Sequence, residues 1–206
     1  MVADGHLTEV PTESVYSGVV SLRGLRACIF LGELNNMPAW GTDISSAYLC
    51  AKTSELVCIE AGPEFGALAG HLLIIDKALY GLQLSGKAFN HLLIDVLRSL
   101  GFEPSKAEPS IFMRPCPDKT KDVYEYVASF VDDLCFVTAN PESFLEELQS
   151  NSVYDFKLKG SGVVNFHLRC GFACDSTGTL CMDTGRYVDK MCDNYSRLFP
   201  GSPISK

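Results

Sequence analysis

A pair of aspartates between two apolar runs is the feature of this 206-residue chain that most constrains its fold. Asp132 and Asp133 follow the run Val123–Phe130 and precede the run Leu134–Thr138, and both runs are rich in residues that favour strands. Two such runs around a short acidic step predict a β-hairpin with the carboxylates at its tip. Because adjacent carboxylates repel each other, this arrangement is unfavourable on stability grounds alone.

Two interpretations of the acidic pair are open from the residues alone. The pair is either a plain turn that faces solvent or a site where a divalent cation relieves the repulsion. No Gly, Asn or Pro marks a turn here, and apolar residues flank the pair on both sides. Asp43 ends the strand-like piece Ala39–Asp43 and is the natural third carboxylate if that strand lies beside the hairpin. Asp43 followed by Ser45 and Ser46 is equally typical of a helix N-cap.

The rest of the pattern mixes helices and strands. Apolar periodicity predicts helices over residues 12–36, 86–100 and from Thr184 onward, and Asn140–Pro141 opens another that reaches about Gln149. Strands are predicted over residues 56–60, 72–75, 110–114, 166–174 and 180–183, with a glycine-punctuated loop at 62–70. This order predicts an α+β domain with a mainly antiparallel sheet packed on helices.

The charge balance argues against a freestanding nucleic-acid-binding protein. The chain has 17 Lys and Arg against 25 Asp and Glu, whereas neutralising phosphates requires clustered cations. Residues 77–121 nevertheless hold seven basic side chains against four acidic ones, so any contact with a polyanion is expected to fall there. No apolar run reaches the roughly 20 residues of a membrane helix and no secretory signal is visible, so we expect an intracellular protein, cytoplasmic or nuclear.

The nine cysteines are scattered and include no Cys-x-x-Cys pair. The densest metal-ligating group contains His167, Cys170, Cys174 and Cys181, and its spacing matches no common zinc finger. We therefore favour reduced, partly buried thiols over a zinc site.

Seven linked motifs resemble the reverse transcriptase domain of copia-type retrotransposons over about residues 12–199. They are TDISSAYL, IEAGPEF, KALYGLQLSGKAF, LGFEPSKAEPSIFMR, FVDDLCFVT, FKLKGSG with FHLRCGF, and GRYVDKM. The resemblance implies that residues 1–206 form one palm-centred polymerase domain with a frayed segment at 1–11. It also implies that the fingers strands expected before Thr12 are truncated and that the RNase H domain expected after Lys206 is missing, as in a fragment of a polyprotein.

The resemblance also implies a site for two-metal nucleotidyl transfer. Asp43, Asp132 and Asp133 would bind two Mg²⁺ or Mn²⁺ ions and act on deoxynucleoside triphosphates and an RNA or DNA template with its primer. Tyr48 would stack under the incoming sugar, and Lys159 would protonate the leaving pyrophosphate. The residues implied to hold nucleotide and template are Tyr80, Gly81 and Gln83, and those implied to form the primer grip are Phe166, His167, Leu168, Arg169 and Cys170.

Four positions depart from the family pattern without removing a metal ligand. Phe130 replaces a tyrosine, Gly86 stands where proline is frequent, Phe89 lies near an expected tryptophan, and Arg169 replaces a glycine. Two main hypotheses remain: a reverse transcriptase palm fragment, and a catalytically inactive remnant that is a folded binding module or has no activity. A thiol or zinc protein is a third class, without a motif to support it, and the oligomeric state is left undefined.

Overall fold

The computed structural model describes residues 11–201, in which every pair of strands is antiparallel. The helices are α1 (Leu22–Leu34), α2 (Ala47–Cys50), α3 (Ser85–Ser99), α4 (Pro141–Gln149) and α5 (Gly185–Leu198). The strands are β1 (Ala39–Ile44), β2 (Cys58–Glu60), β3 (Leu72–Ile74), β4 (Glu103–Pro104), β5 (Ile111–Pro115), β6 (Tyr124–Phe130), β7 (Asp133–Val137), β8 (Leu158–Val163), β9 (Phe166–His167), β10 (Cys170–Cys174) and β11 (Leu180–Asp183). The expected α+β fold with an antiparallel sheet is confirmed.

A six-stranded sheet in the order β4-β5-β6-β7-β1-β8 forms the centre of the molecule. Successive residues of β7 point to opposite faces, and both faces are buried. Leu134 and Phe136 pack with α3 and α4, whereas Cys135 and Val137 pack with α1. The sheet is therefore a middle layer between helices, which explains why the runs on either side of the acidic pair are so apolar.

The predicted helix over residues 12–36 was wrong at its start. The helix begins at Leu22 because Ser21 caps it, its Oγ accepting a hydrogen bond from Gly24 N at 3.0 Å. The hydroxyl of Ser21 also donates to Glu108 Oε2 at 3.0 Å, and Val20 N donates to the carbonyl of Ser129 at 2.8 Å. These contacts with distant segments hold the preceding residues outside the helix.

Other elements also differ from the sequence prediction. The strand predicted over residues 166–174 is interrupted by a two-residue turn, because Leu168 and Arg169 both have positive φ and His167 pairs with Cys170. A short 3₁₀ helix, Pro63–Leu68, forms within the predicted loop, and the edge strand β8 was not predicted. Apart from Pro11, the expected frayed segment 1–11 lies outside the described residues.

Two further features bear on the expectations from composition. All nine cysteines are free thiols, as expected for a reduced chain. No helix within residues 11–201 has the length and apolarity needed to cross a membrane.

A buried ion-pair network joins the sheet to the helices behind it. Arg114 Nε lies 2.8 Å from Glu125 Oε2, and Arg114 Nη1 lies 2.9 Å from Glu147 Oε2. The same Nη1 donates to the carbonyl of Leu100 at 2.8 Å, and the guanidinium lies 4.4 Å from the ring centroid of Phe102. These bonds join β5, β6, α4 and the end of α3, and they satisfy charges that would otherwise be buried without partners.

We predict that Arg114→Ala lowers the free energy of unfolding by about 3 kcal/mol, because it leaves a buried carboxylate without its partner. Glu125 is only 2 % exposed. The matched control is Arg98→Ala, which breaks an exposed pair with Glu103 and is expected to cost less than about 0.5 kcal/mol. Urea denaturation measures both changes, and equal losses in the two variants would contradict the role given to the buried network.

Candidate active site

The pairing of β1 with β7 brings together the carboxylates predicted from separate parts of the sequence. Asp43 lies directly opposite Asp133 in this register. Opposite residues of an antiparallel pair project from the same face, with Cβ atoms about 5 Å apart. Asp132 occupies the adjoining turn, where its carbonyl accepts a hydrogen bond from Ile44 N at 2.8 Å. Asp43 is part of a strand, so its interpretation as a helix N-cap was wrong; Ser46 occupies the N-cap position of the next helix, without a side-chain hydrogen bond to it.

The turn that carries Asp132 is strained. Phe130 pairs with Asp133, so Val131 and Asp132 form a two-residue hairpin loop. Val131 has φ +57°, a conformation that glycine adopts freely and that β-branched residues rarely adopt. Strained backbone of this kind is held by the structure around it and clusters at functional sites. Here the pairing of β6 with β7, and of β7 with β1, maintains the turn against its local preference.

Lys159 approaches Asp43 from the other side of β1. Strand β8 pairs with β1 so that Lys159 lies opposite Asp43, after a shift in register that follows Gly41. Lys159 Nζ lies 3.0 Å from Asp43 Oδ1, which is an ion-pair distance. Oδ1 is buried and has no hydrogen-bond partner in the described part of the chain. Asp43 therefore has an acceptor atom with one ionic contact and unused capacity.

The charges at this site perturb one another. The pKa of the Asp133 carboxyl is raised. The larger cause is partial loss of contact with water, and the second is the negative charge of Asp132 and Asp43. The close contact with Asp43, followed by its charge, raises the pKa of Lys159. Repulsion among the carboxylates and their shared attraction for one ammonium both indicate a preference for added positive charge.

Two tyrosines adjoin the carboxylates. The ring centroids of Tyr48, on α2, and Tyr80 lie 4.4 Å apart. Partial burial, followed by the charge of Asp132, raises the pKa of each hydroxyl, so both rings lie within electrostatic reach of the turn. Gly81 follows with φ +102°, and Gln83 is half-buried in the same segment. Among the residues implied to contact the nucleotide or the template, Tyr48 and Tyr80 thus have hydroxyls whose pKa is affected by the charge of Asp132.

The residues implied for the primer grip lie elsewhere. Phe166 and Cys170 belong to the three-stranded sheet β11-β10-β9, and Leu168 and Arg169 form its tight turn. In the described residues, none of these side chains has a hydrogen bond or ion pair with the three aspartates. Arg169 stacks on Tyr187 of α5 with 5.1 Å between guanidinium and ring centroid, so its side chain joins the hairpin to that helix.

The cysteine-rich group does not form a metal site. Between Pro11 and Gly201, no three His, Cys, Asp or Glu side chains are arranged to hold a metal ion as they stand. His167 and Cys170 are buried cross-strand partners, whereas Cys174 and Cys181 are exposed. Burial lowers the pKa of His167 to about 4, so the ring is neutral near pH 7.

The three aspartates, like the rest of residues 11–201, are not arranged to hold a metal ion as they stand. Their ligand chemistry nevertheless fits a divalent cation. Carboxylate oxygens are the ligands that Mg²⁺ and Mn²⁺ prefer. Asp43 and Asp133 present carboxylate oxygens from one face of the sheet. Oδ1 of Asp43 is a buried acceptor without a hydrogen-bond partner among the described residues, and a bound cation would provide a ligand contact for it. Asp43, Asp132 and Asp133 therefore supply the type of ligand that a divalent cation needs, although they are not arranged around an ion as they stand.

A basic pocket of about 670 Å³ lies beside α3 and does not include the aspartates. Its cations are Lys52, Lys77 and Lys87, and Lys52 lies directly opposite Lys77 in an isolated bridge. Like charges placed opposite each other are destabilising, so this pair favours an anion. Lys77 and Lys87 belong to the basic stretch noted in the sequence. Lys52 was missed because only the bridge brings it to them.

Comparison with known protein families adds a finding that does not depend on this geometry. The family model described as "Reverse transcriptase (RNA-dependent DNA polymerase)" matches residues 1–197, which is nearly the whole chain. The match includes the strand that carries Asp43, the turn that carries Asp132 and both tyrosines. The chain belongs to the reverse transcriptase family.

Proposed function

We propose that this chain is the palm region of a copia-type reverse transcriptase and that Asp43, Asp132 and Asp133 carry out nucleotidyl transfer in it. The observation that supports this most directly is the cross-strand pair of Asp43 and Asp133 beside the Asp132 turn. Three neighbouring carboxylates repel one another, and the ion pair with Lys159 offsets only the charge of Asp43. They suit divalent cations that neutralise the negative charge developing on phosphate oxygens in nucleotidyl transfer.

The three aspartates would hold the two divalent ions that this chemistry uses. When bound, such ions lower the pKa of the attacking primer hydroxyl and neutralise charge on the phosphate undergoing transfer. The chain's own residues position the reactants. A lysine is protonated near neutral pH, so Lys159 would have a proton to donate to the leaving pyrophosphate.

The aromatic pair supplies a surface for the incoming nucleotide. Tyr48 is half-buried against the core, so its ring is held in place and can stack under the sugar and exclude a 2′-hydroxyl. Tyr80 is 44 % exposed and contacts Tyr48, and the turn at Gly81 and Gln83 would hold the nucleotide and template. The hairpin Phe166–Cys170 would grip the primer from the separate three-stranded sheet.

We also propose that the basic pocket binds the backbone of the template. The chain is acidic overall, so a polyanion needs a local excess of cations to bind it. Lys87 forms an ion pair with Glu13, which leaves Lys52 and Lys77 against the pocket's other acidic residue, Asp95. The pocket therefore has an excess of positive charge, and Lys52 and Lys77 supply it.

The metal dependence of stability tests the carboxylate proposal. Mn²⁺ at about ten times its dissociation constant stabilises a folded protein by about 1.4 kcal/mol, which is about 3–5 °C in melting temperature for a chain of this size. We predict such a rise for the wild type and none for Asp132→Asn, with Asp122→Asn, an exposed loop aspartate, as the matched control. Single-nucleotide incorporation on a primer–template should be lost in Asp132→Asn and retained in Asp122→Asn.

An unchanged melting curve in the wild type would overturn the assignment of these aspartates as metal ligands. A melting shift without any incorporation by the wild type would instead support the catalytically inactive remnant.

The salt dependence of binding tests the basic pocket. We predict that Lys52→Gln combined with Lys77→Gln weakens binding to a primer–template and reduces the slope of log K against log salt by about 1.5, because two phosphate contacts are lost. Lys119→Gln combined with Lys121→Gln, in the exposed loop before β6, removes the same charge and should leave the slope unchanged. Fluorescence anisotropy from 50 to 200 mM salt measures both, and equal slopes for the two double variants would refute the proposal.

A further inference from the structure

We propose that Lys159 is a resident counter-ion of Asp43 that a divalent cation must displace before it can bind. This inference rests on the proposed function of the three aspartates. It assigns Lys159 a part in metal entry, which is separate from any role in proton transfer.

The contacts at Asp43 carry the proposal. Lys159 Nζ lies 3.0 Å from Oδ1, the buried oxygen that has no hydrogen-bond partner in residues 11–201. Asp132 and Asp133 have no ion pair among the described residues, so the ammonium is centred on the one aspartate that belongs to β1. A cation that uses Oδ1 of Asp43 therefore competes with the ammonium for the same atom.

The position of Lys159 makes the displacement easy. Its side chain is 65 % exposed and lies on β8, the edge strand of the main sheet. The neighbouring Gly160 has φ +64° and open space around it, so the strand is not packed tightly there. An exposed ion pair of this kind is weak and its ammonium can move into water without loss of packing.

The ammonium in place on Asp43 also explains why the carboxylates do not enclose an ion as they stand. A single positive charge neutralises part of the repulsion at Asp43 without drawing Asp132 and Asp133 inward, because among the described residues the ammonium pairs with Asp43 alone. A divalent cation has twice the charge and needs several oxygen ligands. The metal-free arrangement is thus a closed state of the site, and its apparent metal affinity is lowered by the fraction of molecules in which Asp43 is paired.

The test is direct Mn²⁺ binding without nucleotide or nucleic acid, followed by the electron paramagnetic resonance signal of free Mn²⁺. We expect Lys159→Gln to lower the dissociation constant about fivefold, as it would if Asp43 is paired in about four molecules of five. Lys159→Arg retains the ion pair and should remain close to the wild type. Lys157→Gln, which removes an exposed lysine two residues earlier, is the control for overall charge.

The outcomes separate the inference from the proposed function. Tighter binding in Lys159→Gln alone supports the counter-ion role. Equal binding by the wild type and Lys159→Gln overturns that role and leaves the aspartates as metal ligands. An equal gain in Lys157→Gln also overturns it, because the effect would then be one of net charge. Absence of Mn²⁺ binding in all four proteins overturns both the inference and the metal site.

Discussion

The register of β1 between β7 and β8 is the constraint on which the rest of the site depends. It sets Asp43 opposite Asp133 on one side and opposite Lys159 on the other. A slip of one residue would turn Asp43 to the other face of the sheet and separate the charges. The core opposes such a slip, because Ile44 is fully buried on one face and Ala39 is buried on the other.

The locally destabilising features lie together at the end of the sheet that carries the three aspartates. The carboxylates repel one another, and Val131 adopts a positive φ without glycine's freedom to do so. Away from this end of the sheet, the contacts stabilise the fold. Apolar side chains pack on both faces of β7, and the Arg114 network joins the sheet to the helices. Natural sequences follow local rules except at functional sites, and this distribution of strain supports placing the active site at the β6–β7 turn.

The elements with strong local signals were predictable from the sequence. The apolar stripe of α3, the Asn140 cap with Pro141, and the two runs around Asp132 and Asp133 each carry their own information within a few residues. The sequence pattern therefore predicted the tip of the hairpin correctly, but it did not predict the positive φ of Val131. Only the resemblance to a family linked Asp43 firmly to the hairpin, because no local pattern reports which strands are neighbours.

The elements that were missed depend on distant partners. Val19 and Val20 continue a helical apolar pattern, but a backbone bond to Ser129 holds that segment outside α1. Strand β8 has two glycines and mostly exposed side chains, so only its pairing with β1 makes it a strand. Lys159 consequently looked like an ordinary solvated lysine, and its contact with Asp43 became visible only in the folded chain.

The central claim is that residues about ninety positions apart form one cation site, and iron-directed cleavage tests it most directly. Fe²⁺ bound in place of Mg²⁺, with ascorbate and peroxide, produces radicals that cut the backbone nearest to the ion. We predict two cut regions, one around Asp43 and one around Asp132–Asp133. Both should disappear with excess Mg²⁺ or in Asp132→Asn. Cuts at only one of the two segments, or at the cysteine-rich hairpin instead, would contradict it.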